Sequence, residues 1–236
     1  MKYKVYFLSL LRYLRDKLID IRLRKLDEKN KFRLIYKTGY WKPHNFNSLS
    51  GVGSEEFATK NIAFHLPKFI KQYDIKSILD IPCGDWNWMQ KLDFEDVEYI
   101  GADIVDEIIE NNLKFKKDKV DFKVINIIED KLPDVDLIFI RDLFVHLTEN
   151  DIKNSIANIS RSNIKFVALT SFKDCVSNSY DIRIGDRWRK INMQLHPFNF
   201  PDPLETLPDS NDLIPDDKYK YIGIWKVEEI KRLNIF

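Results

Sequence analysis

The chain has 236 residues, of which 44% are hydrophobic, so it can bury one substantial core and needs no second domain. Its net charge of +1 says little about partners. Two cysteines, Cys83 and Cys175, give neither a disulfide framework nor a metal cluster, so we expect a reducing cytoplasmic setting and no metal. Without an apolar run of roughly 20 residues or a signal peptide, the chain is expected to be soluble.

Residues 1–38 form a predicted basic, amphipathic helical arm. They carry a net charge of +8, whereas the remainder of the chain has −7, a distribution that does not favour a nucleic-acid partner. Apolar residues recur in the arm at four-three spacing: Phe7, Leu11, Leu14, Leu18 and Ile21. Three uses of this stripe compete: packing on the rest of the chain, pairing in a homodimer, and peripheral contact with an anionic membrane surface. Ordinary core spacing favours packing or pairing.

Residues 36–53 break the helical period with Gly39, Pro43, Gly51 and Gly53 and contain several aromatic residues. Such a segment is either a packed connector or a lid that closes over a ligand through Tyr40, Trp41 and His44. Residues 55–73 then predict a helix that is bent or interrupted at Pro67.

The sequence SILDIPCGDWNWM at 77–89 joins a strand to a tight turn. Ile78, Leu79 and Ile81 suit a buried parallel strand that carries Asp80 at its end. Gly84 allows the backbone to pass close to a ligand, where a Cβ would intrude. The segment therefore predicts a cofactor-binding turn.

A second apolar strand, VEYIGAD at 97–103, also ends in an acid. Nucleotide-binding βαβ units place a carboxylate at this point against ribose hydroxyls, which makes Asp103 a ribose candidate. The alternative is an ordinary cap for a helix over 105–117. A third strand is predicted at 120–126.

The apolar strand in VDLIFIRDLFVHL at 135–147 runs into Arg141, Asp142 and His146. If the chain turns helical after Ile140, Asp142 and His146 share a face at i, i+4 spacing, and the carboxylate can orient the imidazole as a general base. The alternative is that Asp142 caps a helix and His146 is a packing residue. Arg141 is a candidate for positioning a cofactor carboxylate or the substrate.

A fifth strand at 164–170 precedes a polar insertion at 173–215, and a last strand is predicted at 219–227. Loops at the carboxyl ends of such strands bind substrates, so the insertion is the predicted substrate-binding region. Its polar groups suit hydroxyls and, through the arginines, phosphate: Asp181, Arg183, Asp186, Arg187, Arg189 and Asn192.

In their order and spacing, these segments resemble the motifs of class I S-adenosylmethionine-dependent methyltransferases, over about residues 54–170. The first family motif is an acid-x-Gly-x-Gly-x-Gly turn, which here reads Asp80, Pro82, Gly84 and Trp86 and retains only the middle glycine. The resemblance implies S-adenosylmethionine as the cofactor, held by Asp80, Pro82, Gly84, Trp86, Asp103, Ile104, Asn126, Ile127 and Arg141. At the adenine loop the family usually has Asp where this chain has Asn126, whose amide oxygen can still accept a hydrogen bond.

The resemblance also implies a doubly wound α/β fold, with a mostly parallel seven-strand sheet over 39–236 and the N-terminal helical extension. DIPCGDWNWM, IRDLFVHLT and GDRWRKINMQLHPFNFPDPL are similar to a bacterial branch associated with surface-polysaccharide and glycan modification. That branch implies O-methylation of a sugar or nucleotide-sugar. The expected substrate-binding residues are Tyr40, His44, Arg183, Arg187, Arg189 and Asn192.

Three alternatives remain at this point. One is a small-molecule N-methyltransferase, and another is a cofactor-binding partner subunit that has lost catalysis. The third is an NAD-dependent oxidoreductase, but its phosphate turn requires a glycine at the position of Trp86, where a pyrophosphate would be crowded.

Overall fold

The computed structural model describes residues 2–42, 46–94, 96–178 and 188–233. Its strands are β1 (Ser77–Asp80), β2 (Glu98–Asp103), β3 (Val120–Val124), β4 (Leu137–Ile140), β5 (Phe166–Phe172), β6 (Glu205–Pro208) and β7 (Lys220–Lys226). They form one sheet in the order β3-β2-β1-β4-β5-β7-β6. The first five strands are parallel, and β7 lies antiparallel between β5 and β6. The predicted seven-strand sheet is confirmed.

The central strands are continuous apolar runs because both faces of the sheet are covered. In β4, Ile138 and Ile140 point into one hydrophobic cluster, and Leu137 and Phe139 point into the other. All four are buried. This two-sided burial fixes the carboxyl ends of β1 and β4 side by side.

The helices are α1 (Lys2–Leu23), α2 (Glu28–Thr38), α3 (Glu56–Gln72), α4 (Asp106–Asn112), α5 (Glu149–Arg161) and α6 (Val227–Ile230). Helix α3 continues through Pro67 rather than stopping there. Helix α4 is shorter than the predicted 105–117 and ends in a 3-10 turn at Leu113–Phe115. Among the described residues, no helix has both the length and the apolar character needed to cross a membrane.

The predicted arm consists of two helices rather than one. Asp27 caps α2 by accepting a hydrogen bond from the Asn30 N–H, and Gly39 ends that helix with a φ of 61°. Phe32 and Ile35 of α2 lie in the same core cluster as the sheet. The boundary predicted at residue 38 therefore marks the end of a helix that packs on the sheet domain.

Helix α1 packs through Ile19 and Leu23, which are buried. The predicted stripe faces outward instead, with Leu11, Leu14, Leu18 and Ile21 all exposed. The side chain of Phe7 lies outside the described part of the chain. Helix α1 therefore packs on the core through Ile19 and Leu23, and not through the described residues of the predicted stripe.

Candidate functional site

A cavity of about 330 Å³ opens at the carboxyl ends of β1, β2 and β4. The strand order reverses between β1 and β4, and crevices at such switch points are where open α/β sheets bind ligands. Residues predicted from the sequence that line the cavity are Asp80, Pro82, Gly84, Asp103, Ile104, Asn126, Ile127, Arg141, Asp142 and His146.

Gly84 follows β1 with a φ of 53°, a conformation that glycine adopts without steric cost. A Cβ at this position would lie 2.2 Å from Ser50 Oγ. Ser50 is fixed there because its hydroxyl donates to Asp85 Oδ1 at 3.0 Å, and the Leu49 N–H donates to Asp85 Oδ2 at 2.6 Å. A side chain at position 84 would therefore collide with the loop that carries Ser50, and this contact by itself requires glycine.

Trp86, by contrast, lies outside the cavity. Its φ is 54°, and its indole packs in the core against Tyr99, Phe115 and Phe122, with ring centroids 5.8, 5.2 and 5.1 Å away. The predicted cofactor contact of Trp86 is corrected accordingly: the side chain supports the turn from the opposite side.

Two buried carboxyl groups face the cavity. Asp80 accepts a hydrogen bond from the Tyr99 hydroxyl at 2.5 Å, and burial raises the pKa of Asp80 to about 7. Asp103 Oδ1 accepts from the Val105 N–H at 3.0 Å, and burial raises the pKa of Asp103 to about 6 despite neighbouring backbone donors. A ligand that brings a positive charge or hydroxyl donors would favour the ionised forms of both.

Asn126 and Ile127 form the edge of the cavity after β3. The Asn126 amide is partly engaged, since Oδ1 accepts from the Ile128 N–H at 3.1 Å and Nδ2 donates to Glu129 at 3.0 Å. An amide oxygen has two lone pairs, so Asn126 retains one acceptor position.

Arg141 and Lys220 lie in a buried ion cluster at the base of the cavity. Arg141 donates from Nε and Nη2 to Asp209 at 2.9 and 3.1 Å, and from Nη1 to the Gly53 carbonyl at 2.8 Å. Lys220 Nζ lies 2.6 Å from Asp142 Oδ2 and 3.3 Å from Asp209 Oδ2. The cluster therefore ties the ends of β4 and β6 to the start of β7.

The cluster also fixes the charge of Asp142. Burial acts to raise the pKa of Asp142, but Lys220 and Arg141 outweigh it and lower the pKa to about 2. The neighbouring carboxylates likewise keep the pKa of Lys220 above its ordinary value despite burial. Asp142 is consequently a fixed carboxylate at neutral pH.

His146 does not share a helical face with Asp142. Asp142 has a φ of 60°, and the following residues form only a 3-10 turn, Phe144–His146. The Asp142 carboxylate accepts from Lys220 Nζ at 2.6 Å. Among the described residues, no hydrogen bond joins the side chains of Asp142 and His146. The predicted i, i+4 geometry is therefore wrong, because a positive φ at Asp142 interrupts the helix.

The His146 ring stacks instead on Trp41, with centroids 4.8 Å apart and an interplanar angle of 29°. Burial lowers the pKa of His146 to about 4, although the nearby Asp142 charge opposes the shift. The imidazole is therefore neutral at physiological pH and has a free-base nitrogen to offer.

The residues predicted to bind substrate are dispersed. Tyr40 donates to Asp20 at 2.6 Å, away from the cavity lining. Asn192 is held within its own loop, where its N–H donates to Asn178 Oδ1 at 2.9 Å. His44, Asp181, Arg183, Asp186 and Arg187 lie outside the described residues.

Arg189 is close to the site without lining it. The backbone N–H of Arg189 donates to the Val145 carbonyl at 3.0 Å. The positive charge of its side chain contributes to lowering the pKa of His146. Nε and Nη1 of Arg189 are buried with no hydrogen-bond partner in the described part of the chain. Unpaired buried donors of this kind are costly, so an anionic ligand group would be stabilised there.

Several cavity residues were missed by the sequence interpretation. Helix α2 contributes Glu28, Phe32 and Tyr36, and further walls come from Ser50, Trp88, Trp188, Asp216, Asp217 and Lys220. Trp41 packs against Phe32 and Tyr36, with centroids 5.9 and 6.2 Å apart. The i, i+4 spacing of the two α2 aromatics was the available signal, since it places both rings on one helical face.

Comparison with solved structures identifies the fold. The N-methyltransferase NodS from Bradyrhizobium japonicum, in complex with S-adenosyl-L-homocysteine, aligns at 12% identity and a TM-score of 0.55, covering 72% of this chain and 87% of that one. Human N-acetylserotonin methyltransferase with S-adenosylmethionine aligns at 12% identity and 0.57, covering 86% and 60%. The methyltransferase domain of bacterial CtHen1 aligns at 11% identity and 0.53, covering 72% and 99%.

No protein-family model matches the sequence, and no curated protein matches it either. At 11–12% identity, the likeness to solved structures concerns the fold. The chain has the Rossmann-like fold found in class I methyltransferases.

Proposed function

We propose that the protein is an S-adenosylmethionine-dependent methyltransferase. The observation that carries this proposal is the convergence of three strand ends on one cavity. The turn after β1 brings Gly84, β2 ends in the buried Asp103 carboxylate, and His146 follows β4. This combination offers a nucleoside site and a neutral base within one enclosure.

The residues present fit the cofactor. The Asp103 carboxylate at the cavity wall suits ribose hydroxyls as a hydrogen-bond acceptor, and Ile104 and Ile127 offer apolar contact to adenine beside the Asn126 amide. Asp80 suits the ammonium of the amino-acid part, because a cation relieves the cost of ionising a buried carboxyl. When bound, the cofactor supplies a methyl group on a sulfonium centre.

Arg141 is assigned a positioning role rather than cofactor contact. Each of its three guanidinium nitrogens already donates to a protein oxygen, on Asp209 or Gly53. We infer that Arg141 holds the loop containing Gly53 and the Asp142 carboxylate at the cavity base.

For the acceptor, we propose a hydroxyl group whose proton passes to His146 as the oxygen takes up the methyl group. The finer proposal is a sugar, nucleotide-sugar or phosphorylated sugar. Trp188 supports it, since this indole is 38% exposed, lines the cavity and stacks on Phe172 as a platform for a sugar ring. The adjoining Arg189, whose Nε and Nη1 have no hydrogen-bond partner among the described residues, suits a phosphate. A role in surface-polysaccharide synthesis rests on the sequence resemblance alone.

A second candidate is N-methylation of a small amine. Besides Asp80 and Asp103, four further carboxyl groups line the cavity, on Glu28, Asp142, Asp216 and Asp217, and they favour a cationic acceptor. Transfer of labelled methyl groups to sugar phosphates and nucleotide-sugars, compared with transfer to a panel of amines, separates the two candidates. Cofactor binding without transfer to either panel would favour the alternative of a partner subunit that has lost catalysis.

Asp103→Asn is expected to weaken S-adenosylmethionine binding by about 10–100-fold, because hydrogen bonds to a charged group contribute about 1.5–3 kcal/mol. Isothermal titration calorimetry with the cofactor and with S-adenosylhomocysteine measures the effect. The matched control is Asp118→Asn, which removes the same charge from an exposed loop. Unchanged affinity in a folded Asp103→Asn variant, or tighter binding of NAD by the wild type, would overturn the cofactor proposal.

Cofactor affinity is also expected to depend on pH through Asp80. Its pKa of about 7 in the free protein means that, as the pH falls below 7, ammonium binding must first displace a proton. Affinity should therefore be constant above this pKa and fall by up to about tenfold per pH unit below it. Titrations between pH 5.5 and 8 test this for the wild type and for Asp80→Asn, in which the step near pH 7 should vanish. Identical pH profiles for the two proteins would assign the ammonium site elsewhere.

A further inference from the structure

Helix α1 has two apolar faces, of which the core uses one. Ile19 and Leu23 are 5% and 0% exposed against the core. Leu11, Leu14, Leu18 and Ile21 are 47%, 48%, 63% and 54% exposed, and their three-four-three spacing places them along one line of the helix. These four residues are called the outer stripe below. Nothing in the described part of the chain covers them.

Basic residues border the outer stripe on both sides, whereas the acidic residues of α1 lie on the opposite side of the helix. At 100° per residue, Arg15 and Arg22 border the stripe on one side, and Lys17 and Arg24 border it on the other. All four are exposed. Asp16 and Asp20, the acids of this helix, project to the opposite side. Asp20 is fixed there by the hydrogen bond from Tyr40 at 2.6 Å.

We propose that the outer stripe docks on the surface of an anionic phospholipid bilayer, with α1 lying in the plane of the interface. Helices that bind in this way combine an exposed apolar line with Lys and Arg at its borders. The apolar side chains enter the boundary between headgroups and acyl chains, and the bordering cations meet the negative headgroups. The exposed Arg15–Asp16 pair, 2.8 Å apart, does not oppose this contact, since ion pairs at the surface are weak.

The charge pattern favours a bilayer over a second copy of the chain. Pairing two outer stripes would bring two sets of bordering cations together, whereas the acids of α1 lie on the far side from the contact. The long-range electrostatic field of the protein also favours an anionic bilayer, because residues 1–38 have a net charge of +8 and the remainder has −7. The molecule is therefore expected to approach a negative surface with the α1 side first.

Docking would also bring the candidate site close to the membrane. Tyr40, which is bonded to Asp20 of α1, precedes Trp41 of the cavity wall. Helix α2 follows α1 after a short connection and lines the same cavity.

Co-sedimentation of the full-length protein tests the proposal with two kinds of vesicle, phosphatidylcholine alone and phosphatidylcholine mixed with phosphatidylserine. We expect binding to the mixed vesicles that weakens with added salt, and little binding to the neutral ones. The double variant Leu14→Glu/Leu18→Glu should lower the partition coefficient by roughly tenfold or more, because it removes two apolar contacts and adds two like charges.

The matched control is Leu113→Glu/Val124→Glu, which makes the same chemical change at residues that are 45% and 42% exposed elsewhere on the protein. It should retain binding within about threefold of the wild type. Circular dichroism verifies that both variants are folded. Absence of binding by the wild type, or an equal loss in both variants, would overturn the proposal. So would light scattering that gives a dimer for the wild type and a monomer for Leu14→Glu/Leu18→Glu, since the stripe would then be a subunit contact.

Discussion

His146→Ala is expected to lower kcat by about 10²–10⁴-fold while leaving cofactor affinity unchanged, because a general base acts only as the acceptor loses its proton. His146 lines the cavity beside Asp142 and is held by its stack on Trp41. The methyl-transfer rate on a responsive acceptor and the cofactor affinity by calorimetry measure the two effects separately. His65→Ala is the matched control, since His65 lies on α3 away from the cavity lining.

The pH dependence distinguishes this role from packing. Burial lowers the pKa of His146 to about 4, so the imidazole is unprotonated throughout the neutral range. The His146-dependent rate should therefore be constant between about pH 6 and 8 and fall only as the pH approaches 4. A packing role predicts a lower melting temperature with kcat little changed. Turnover of the folded His146→Ala variant within a few fold of the wild type would show that proximity alone is sufficient or that another group takes the proton.

The sheet could be predicted from the sequence because its signal is local. Ile78 and Leu79 in β1, and the four residues of β4, form uninterrupted apolar runs, and both strands are buried from each side. Asp80 and Asp103 stand at the ends of such runs, so their position at one edge of a parallel sheet follows from the topology. The same reasoning placed His146 at the cavity.

The ion cluster could not be predicted in this way. Asp209 lies 68 residues from Arg141, and Lys220 lies 78 residues from Asp142. Charged residues at such separations carry no periodic signal, and only the antiparallel addition of β7 and β6 to the sheet brings them together. The sequence therefore predicted His146, the nearest basic side chain along the chain, as the partner of the Asp142 carboxylate, whereas the structure pairs Asp142 with Lys220.

Helical spacing also failed to say which apolar face of α1 meets the core. Leu14 and Leu18 fit an amphipathic period, but so do Ile19 and Leu23, and the core takes the latter pair. Periodicity indicates that a helix has an apolar face. Which face of α1 packs against the core depends on how α2 and the loop after it dock on the sheet. Trp86 shows a related limit, since its positive φ directs the indole away from the cavity.

Asp209→Asn is expected to destabilise the protein by about 3–5 kcal/mol, the usual cost of removing one partner from a buried ion pair. The Asp209 side chain is fully buried and accepts two hydrogen bonds from Arg141, with Lys220 3.3 Å away. An amide cannot neutralise either cation, and both would remain enclosed with a reduced share of negative charge. Urea denaturation followed by circular dichroism gives the change in the free energy of unfolding.

Asp212→Asn is the matched control, because it removes the same charge three residues along the chain at an exposed position. Its effect should stay within about 0.5 kcal/mol, as for most surface substitutions. A double-mutant cycle with Arg141→Gln should give losses smaller than the sum of the single variants, since the two residues share one interaction. Additive losses, or a midpoint for Asp209→Asn equal to that of Asp212→Asn, would show that the cluster does not hold β4, β6 and β7 together. The cavity base would then depend on the hydrogen bonds of the sheet alone.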